Sequence, residues 1–366
     1  MLERHTVARL LGLVWLLVMG HIVTYGTSSG KTSVNPLKKT TSGLHDPLDS
    51  FCKPHDPCVY PETVKLRVII LTYHRPRALQ TLLAHVTALE LDGDLAALEI
   101  FIDRSKETGE YDQNTFKVAQ EFDWSGGRTR VHVWGDHVGL YGQWVDSWRP
   151  EVGSQEIALV LEDDVVVSRF AWRWLRAVHQ HYGHMTNLQG YTLQSEEVYN
   201  AKLTGWQRRL MPLKVSGAEP TFLYRVVGSW GFSPHPVWWP LFQDWFHAAR
   251  RNQSFHPYVW HTAHKLEMTK LYKNFEIRGM EDSMWTMWYV YFTHEHNLLC
   301  VYNNLPRVLD SAQACLAVHR AEPGLHFQGK PNNNQANLLH QWKEEFVEFS
   351  NTTPVIGYDG TYIRVL

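Results

Sequence analysis

The chain has 366 residues, enough for one large α/β domain or two smaller ones, and its formal net charge is −2. No long basic run accompanies that balance, so nucleic acid is a poor partner. Sixteen tryptophans are many for this length, and their flat apolar faces suit either core filling or stacking on sugar rings.

The opening M-L-E-R-H-T-V-A-R precedes a nearly unbroken apolar run from Leu10 to Val23. A short positive head before an apolar core directs a chain to a membrane. The run is short for a full span of about 20 residues. Residues 10–26 therefore read as a signal anchor, or as a signal peptide if Thr24-Tyr25-Gly26 is cleaved, which yields a secreted protein. Arg4 and Arg9 keep residues 1–9 on the cytoplasmic side of an anchor. Residues 27–62 read as a flexible Thr/Ser/Gly/Lys stem ending in a cysteine-stapled loop.

Asn252-Gln253-Ser254 and Asn351-Thr352-Thr353 are glycosylation acceptors, so Asn252 and Asn351 point to a lumenal or extracellular body. The four cysteines fall as two local pairs, Cys52 with Cys58 and Cys300 with Cys315. Two disulfides with that connectivity are the economical choice among three pairings. Zinc fits less well, because neither pair has C-x-x-C spacing or a histidine at finger distance. The expected address is the Golgi or endoplasmic reticulum membrane, with the body in the lumen.

From Lys65 onward strands alternate with helical runs. Lys65 to Tyr73 is a buried strand, and H-R-P-R-A-L-Q-T-L-L-A-H-V after it sets Leu79, Leu82, Leu83 and Val86 on one helical face. Leu98 to Asp103 is a second strand ending in an acid, Asn114 to Phe122 a helix, and Arg130 to Trp134 a third strand leading into G-D-H-V-G-L-Y-G-Q-W. Ile157 to Leu161 is the fourth, and it ends in Glu162-Asp163-Asp164. This order predicts βαβ units and a mostly parallel sheet. No Gly-x-Gly-x-x-Gly follows the first strand, and the Gly-Lys-Thr at Gly30 lies in the stem, so neither phosphate-binding fingerprint is supported.

Three consecutive carboxylates at a strand end either cap the helix starting near Ser168 or meet a ligand at the carboxyl edge of the sheet. Clustered hard oxygens there suit Mg²⁺ or Mn²⁺ and, through the metal, a diphosphate. Farther on, Phe170 to His181 is an amphipathic helix whose His179 and His181, with nearby His184, read as a solvated face and not as a metal cluster. Gln194 to Gly217 is a polar loop. Val226 to Phe232 is glycine-rich, suited to close backbone approach to a ligand, with Trp230, Trp238 or Trp239 as candidate sugar-stacking rings. Gly279-Met280-Glu281-Asp282 opens an apolar helical run to Phe292, where the acids either cap the helix or act in chemistry.

With its first strand entering T-Y-H-R-P and L-x-x-L-L, its second ending in Asp103 and E-D-D after the fourth, the order of parts resembles a GT-A glycosyltransferase. The family-2-like enzymes and the N-acetylglucosaminyltransferase I group are of that kind, and the resemblance spans about Leu66 to Lys330. It implies a Rossmann-like α/β catalytic domain over 63–330, split into a nucleotide-binding half (63–168) and an acceptor half (169–330), with 331–366 as a tail. It implies a nucleotide-sugar donor, UDP-linked with N-acetylglucosamine as the sugar, and a glycan or glycoprotein acceptor. Thr72, Tyr73, Arg75, Asp103, Glu162, Asp163 and Trp230 would bind the donor. Asp164 would hold Mn²⁺ or Mg²⁺ with His326, or with His319 as second choice, and Lys330 or Arg320 would meet the diphosphate. Asp282 would be the base of an inverting reaction, with Glu281 beside it. The spacing departs from a strict Asp-x-Asp, which leaves Glu162 and Asp163 as alternatives for the ribose. A retaining transferase and a non-catalytic lumenal carbohydrate-binding relative are the rival readings.

Overall fold

The structure is a computed structural model describing residues 60, 62–151, 153–195, 219–260, 266–309, 314–320, 337–358 and 362–365. The expected anchor, all of the expected stem and stapled loop but Tyr60 and Glu62, Cys52, Cys58, His326, Lys330 and nearly all of the Gln194–Gly217 loop lie outside those residues.

Four parallel strands form the first half of the sheet: β1 (Leu66–Thr72), β2 (Ala96–Ile102), β3 (Gly127–Val133) and β4 (Ile157–Glu162). Every residue of β1 and β2 is buried, as continuous apolar strands covered on both faces require. Alternation along β1 sends Leu66, Val68 and Ile70 into one core and Ile69 and Leu71 into the other. Helix α1 (Pro76–Thr87) covers the first face through Leu79, Leu82, Leu83 and Val86, joined by α4 (Ala171–Tyr182). Between them in sequence come α2 (Gln113–Gln120), capped by Asp112 through the Thr115 amide, and α3 (Gly139–Asp146). The second face is covered by α3, α5 (Trp238–Arg250) and α7 (Trp285–Glu295), with α6 (Glu267–Ile277) contributing Tyr272 and Phe275.

The remaining strands are β5 (Val165–Val167), β6 (Leu188–Ser195), β7 (Thr221–Tyr224), β8 (Phe232–Pro234), β9 (Leu299–Asn303), β10 (Ala317–His319), β11 (Pro354–Ile356) and β12 (Tyr362–Val365). The order across the main path is β12-β11-β7-β9-β6-β8-β4-β1-β2-β3. β8 lies antiparallel between β4 and β6, and β7 is antiparallel to β9, so the sheet as a whole is mixed. The mostly parallel sheet read from the sequence describes its first four strands; beyond them parallel pairs, β6 with β9 and β7 with β11, are mixed with antiparallel ones. β11 and β12 extend the sheet beyond residue 330, and Phe346 is buried in the first core, so the last segment belongs to this domain and is not a separate tail. The acidic run there forms only a short 3-10 turn, Glu344–Val347.

The expected Cys300–Cys315 disulfide is contradicted, because both residues are thiols. Cys300 in β9 points into the second core, whereas Cys315 packs beside Val166, Val318 and Leu338 in a separate cluster. Burial pushes both thiols above their ordinary range. His179 also departs from expectation: it turns inward, with Nε2 2.9 Å from Ser233 Oγ and its ring against Tyr191. His184 alone of the three histidines is exposed.

Asn252 is exposed and its Oδ1 accepts from Ser254 in a local turn, and Asn351 is exposed as well.

Candidate active site at the carboxyl edge of the parallel strands

Register alone brings the acids together. Thr72 lies opposite Ile102 in β2, and Leu71 lies opposite Glu162 in β4. Asp103 and Asp163 therefore follow on either side of Thr72, with the Asp103 amide donating to Thr72 O and the Asp163 amide to Leu71 O, both at 3.1 Å. After Thr72 the backbone turns sharply through His74, whose φ of 51° is in the left-handed region. Pro76 then fixes φ at the first position of α1 and restricts Arg75 before it, so Arg75 leaves the turn pointing at the acids.

Asp163 and Asp164 are both buried, at 1% and 7% exposure. Thr72 Oγ1 donates to Asp163 Oδ2 at 2.7 Å, and Arg75 Nη1 donates to Asp164 Oδ2 at 2.8 Å. The other two oxygens have ion-pair contacts only. Asp163 Oδ1 lies 3.2 Å from Arg75 Nη2 and Asp164 Oδ1 lies 3.6 Å from His319 Nε2, and neither buried oxygen accepts a hydrogen bond. Buried carboxylate oxygens that accept no hydrogen bond are costly, and such atoms point to a ligand or ion. Burial raises the Asp163 carboxyl to about 7, with Arg75 offsetting only part of that. Glu162 is likewise pushed to about 7, by burial and by the charge of Asp164. Burial acts on Asp164 too, but His319 and Arg75 outweigh it and hold this carboxyl down at about 2. Asp164 is thus the acid of the three that stays charged most readily.

His319 reaches this place because β10 runs antiparallel to β5, with His319 opposite Val165 and the Arg320 amide donating to Asp164 O at 2.8 Å. The second-choice histidine is therefore the one beside Asp164. Its ring stacks on Trp230, centroids 5.3 Å apart at 16°. The other two candidate tryptophans are elsewhere: Trp239 is fully buried with its N–H on Trp148 O, and Trp238 packs against Phe292 and His296. The glycines near Trp230 also serve the protein itself. A Cβ at Gly231, φ 73°, would come within 2.9 Å of Leu193 Cδ1, and one at Gly228 within 2.7 Å of Thr192 Oγ1. They let this turn lie flat on β6 and present Trp230 to His319.

The sequence reading missed α3. Its N-terminus is held by Asp103, whose two oxygens accept from the Val138 and Gly139 amides at 2.9 Å each. Asp103, expected at the base or ribose, thus positions a helix. That helix then binds three parts of the site. Gln143 Nε2 donates to Thr72 O, Trp144 Nε1 donates to Glu162 Oε1 at 3.0 Å, and Tyr141 Oη donates to Glu281 O. Trp144 also stacks on Trp285 at 4.3 Å, just after the Glu281–Ser283 3-10 turn. The signal was present in G-L-Y-G-Q-W-V-D, an eight-residue stretch whose aromatic and amide side chains follow no apolar stripe.

Asp282 is mostly exposed, and its Oδ1 accepts from Arg250 Nη2 at 2.7 Å; Arg250 in turn lies over the Tyr141 ring. Glu281 Oε2 is buried without a hydrogen bond. A cleft of about 380 Å³ is lined by α3 and α5, with His137 at the Asp103 cap and Arg250 beside Asp282. Tyr73 is 41% exposed at the same edge of the sheet.

The donor chemistry fits a hard divalent cation. Among the described residues no group of three or more His, Cys, Asp or Glu is gathered for one. Mg²⁺ and Mn²⁺ sites that use one or two protein ligands fill the rest of the shell with water and substrate phosphate. Asp164 and His319 are the side chains that would hold it.

No family model and no curated protein match the sequence. Among solved structures, the chain is similar to the mannosyltransferase PcManGT from Pyrobaculum calidifontis, solved with GDP-Man and Mn²⁺: 11% identity over 40% of this chain and 39% of that one, TM-score 0.25. It is also similar to residues 1–349 of S. aureus TarS, at 12% identity over 68% of this chain and 63% of that one, TM-score 0.34. The chain therefore spans less than two thirds of either, and with scores this low neither likeness carries an argument about what it does.

Proposed function

We propose that this chain is a metal-dependent glycosyltransferase of GT-A type. The observation that carries this reading is the set of acids, Arg75 and His319 at the carboxyl edge of four parallel strands, with a charged Asp164 whose second oxygen is buried, faces His319 at 3.6 Å and accepts no hydrogen bond. Ligands of open α/β sheets bind at that edge. A nucleoside diphosphate is a poor leaving group until its charge is neutralised, and a divalent cation held there supplies Lewis-acid neutralisation. Arg75 and His319 add positive charge on the same side. Trp230, stacked on His319, offers a flat face to the sugar.

In an inverting transfer the acceptor hydroxyl attacks the anomeric carbon from the face opposite the diphosphate and gives its proton to a carboxylate. Asp282 is that base in our reading. Its exposure leaves the carboxylate open to an incoming acceptor, and Arg250 fixes its orientation. Glu281 positions it through the turn that Tyr141 holds. The cleft between α3 and α5 takes the acceptor, a glycan or glycoprotein. UDP as the nucleotide and N-acetylglucosamine as the sugar follow from the family resemblance; the N-terminal anchor follows from the apolar run from Leu10 to Val23, and the Golgi or endoplasmic reticulum lumen from the glycosylation acceptors Asn252 and Asn351.

The test is donor turnover against a panel of UDP- and GDP-sugars with Mn²⁺. Nucleoside diphosphate release that stops on chelation is expected, and Asp282→Asn should lower transfer by about 10²- to 10⁴-fold while donor binding persists. Turnover by Asp282→Asn with retained anomeric configuration would instead indicate a retaining enzyme. No turnover and no metal-dependent nucleotide binding would indicate a carbohydrate-binding protein.

A further inference from the structure

Resting on the proposed function, the geometry points to Arg75 as an exchangeable counter-ion that couples cation binding to nucleotide binding. Arg75 bridges Asp163 and Asp164 at 3.2 and 2.8 Å, and the second contact occupies an oxygen of the acid that would hold the metal. A dication and a guanidinium cannot both sit close to Asp164 without strong mutual repulsion at short range. Without nucleotide the guanidinium already neutralises this pocket, so a cation gains little by entering.

A diphosphate changes that balance. It brings anionic oxygens to the same edge, to which the planar fork of Arg75 can donate in place of Asp164. The side chain has room to move, since it is one-third exposed while both aspartates are buried, and its backbone is fixed by Pro76 so that only the side chain needs to swing. Asp164 Oδ2 is then freed at the moment its cation has phosphate oxygens to share. Arg75 is a positioning residue in this account: it keeps the acids charge-balanced in the resting protein and admits the cation only with the donor.

The experiment is calorimetric titration of Mn²⁺ into the wild type and Arg75→Met, each with and without saturating UDP, with thermal unfolding confirming that the variant is folded. The wild type should bind Mn²⁺ at least about tenfold more tightly with UDP present. Arg75→Met should bind Mn²⁺ alone about tenfold more tightly than the wild type, bind UDP more weakly and lose most of the coupling, as expected for removing one nearby positive charge. Arg75→Lys, which keeps the charge without the bridging fork, should lie between them and serves if Arg75→Met does not fold. Unchanged or weaker Mn²⁺ affinity in Arg75→Met, with wild-type Mn²⁺-dependent UDP binding intact, would overturn the coupling role and spare the transferase reading. Absence of any Mn²⁺-dependent binding of either UDP or GDP by the wild type would overturn both.

Discussion

The two ends of the same parallel strands each carry an arginine set between carboxylates, and the two clusters are finished differently. At the amino ends, Arg67 donates to Glu99 Oε1 and to both oxygens of Glu156, and Nη2 also reaches Glu62 O. His132 takes Glu99 Oε2 at 2.5 Å, Trp148 donates to Glu156, and the Tyr60 ring covers the guanidinium at 3.9 Å. All four oxygens of Glu99 and Glu156 have partners, and Arg67 and Glu99 are fully buried. At the carboxyl ends, Arg75 is one-third exposed and two buried aspartate oxygens have no hydrogen bond. Buried carboxylates whose oxygens are all partnered hold strands together; buried carboxylate oxygens without a hydrogen bond at a sheet edge suit something that arrives later.

The largest effect that separates the two clusters is on stability. Arg67→Met strands Glu99 and Glu156 in the core and should cost about 3–5 kcal/mol in chemical denaturation, the range for breaking a buried pair. Arg75→Met should cost less, about 1–3 kcal/mol, because the guanidinium is itself one-third exposed and its buried partners keep other contacts, Asp163 with the Thr72 hydroxyl and Asp164 with His319. Equal losses would mean that the carboxyl-end cluster is structural too.

A second contrast lies in pH. Glu162 and Asp163 rise from ordinary values of 4.5 and 3.8 to about 7, mainly through burial. Their folded forms hold protons that the unfolded chain has released, so the stability they contribute is full below about 4 and is lost as pH rises to about 7. His179 and His235, lowered by burial to about 3 and about 4, act the other way, since the unfolded chain binds the extra protons up to 6.5. The two pairs oppose each other between about 4 and 6.5. Asp163→Asn removes one raised carboxyl while keeping an acceptor for Thr72, so its stability should climb with pH more steeply than that of the wild type across this window. Parallel curves in urea midpoints would show that Asp163 is not raised.

The smallest effect is at α3. Trp144→Phe keeps the ring on Trp285 and removes one N–H from Glu162, which should cost about 1 kcal/mol. Donor turnover should fall by a few-fold at most if Glu162 only supports Asp164.

The first four strands were legible because buried parallel strands are continuous apolar runs with acids at their ends, and the register that gathers Thr72, Asp103 and Asp163 follows from strand order. The second half was less so. Its three-residue strands, β5, β8, β10 and β11, are too short to show a period, and β8 is placed by its neighbours and not by its own sequence. That His319 lies beside Asp164 could not be read without the pairing of β10 with β5. Local cysteine spacing misled, since Cys300 is aimed away from Cys315 by strand alternation. That Asp103 holds the start of α3 could not be read, because the amides it accepts from lie 35 and 36 residues downstream in sequence.

Calorimetric titration of UDP into the wild type and Asp164→Asn, with Mn²⁺ and then with chelator, tests the central claim most directly. The account predicts binding by the wild type that weakens at least about tenfold on chelation, and binding by Asp164→Asn that is weak and indifferent to Mn²⁺. Equal, Mn²⁺-dependent binding by both proteins would contradict it.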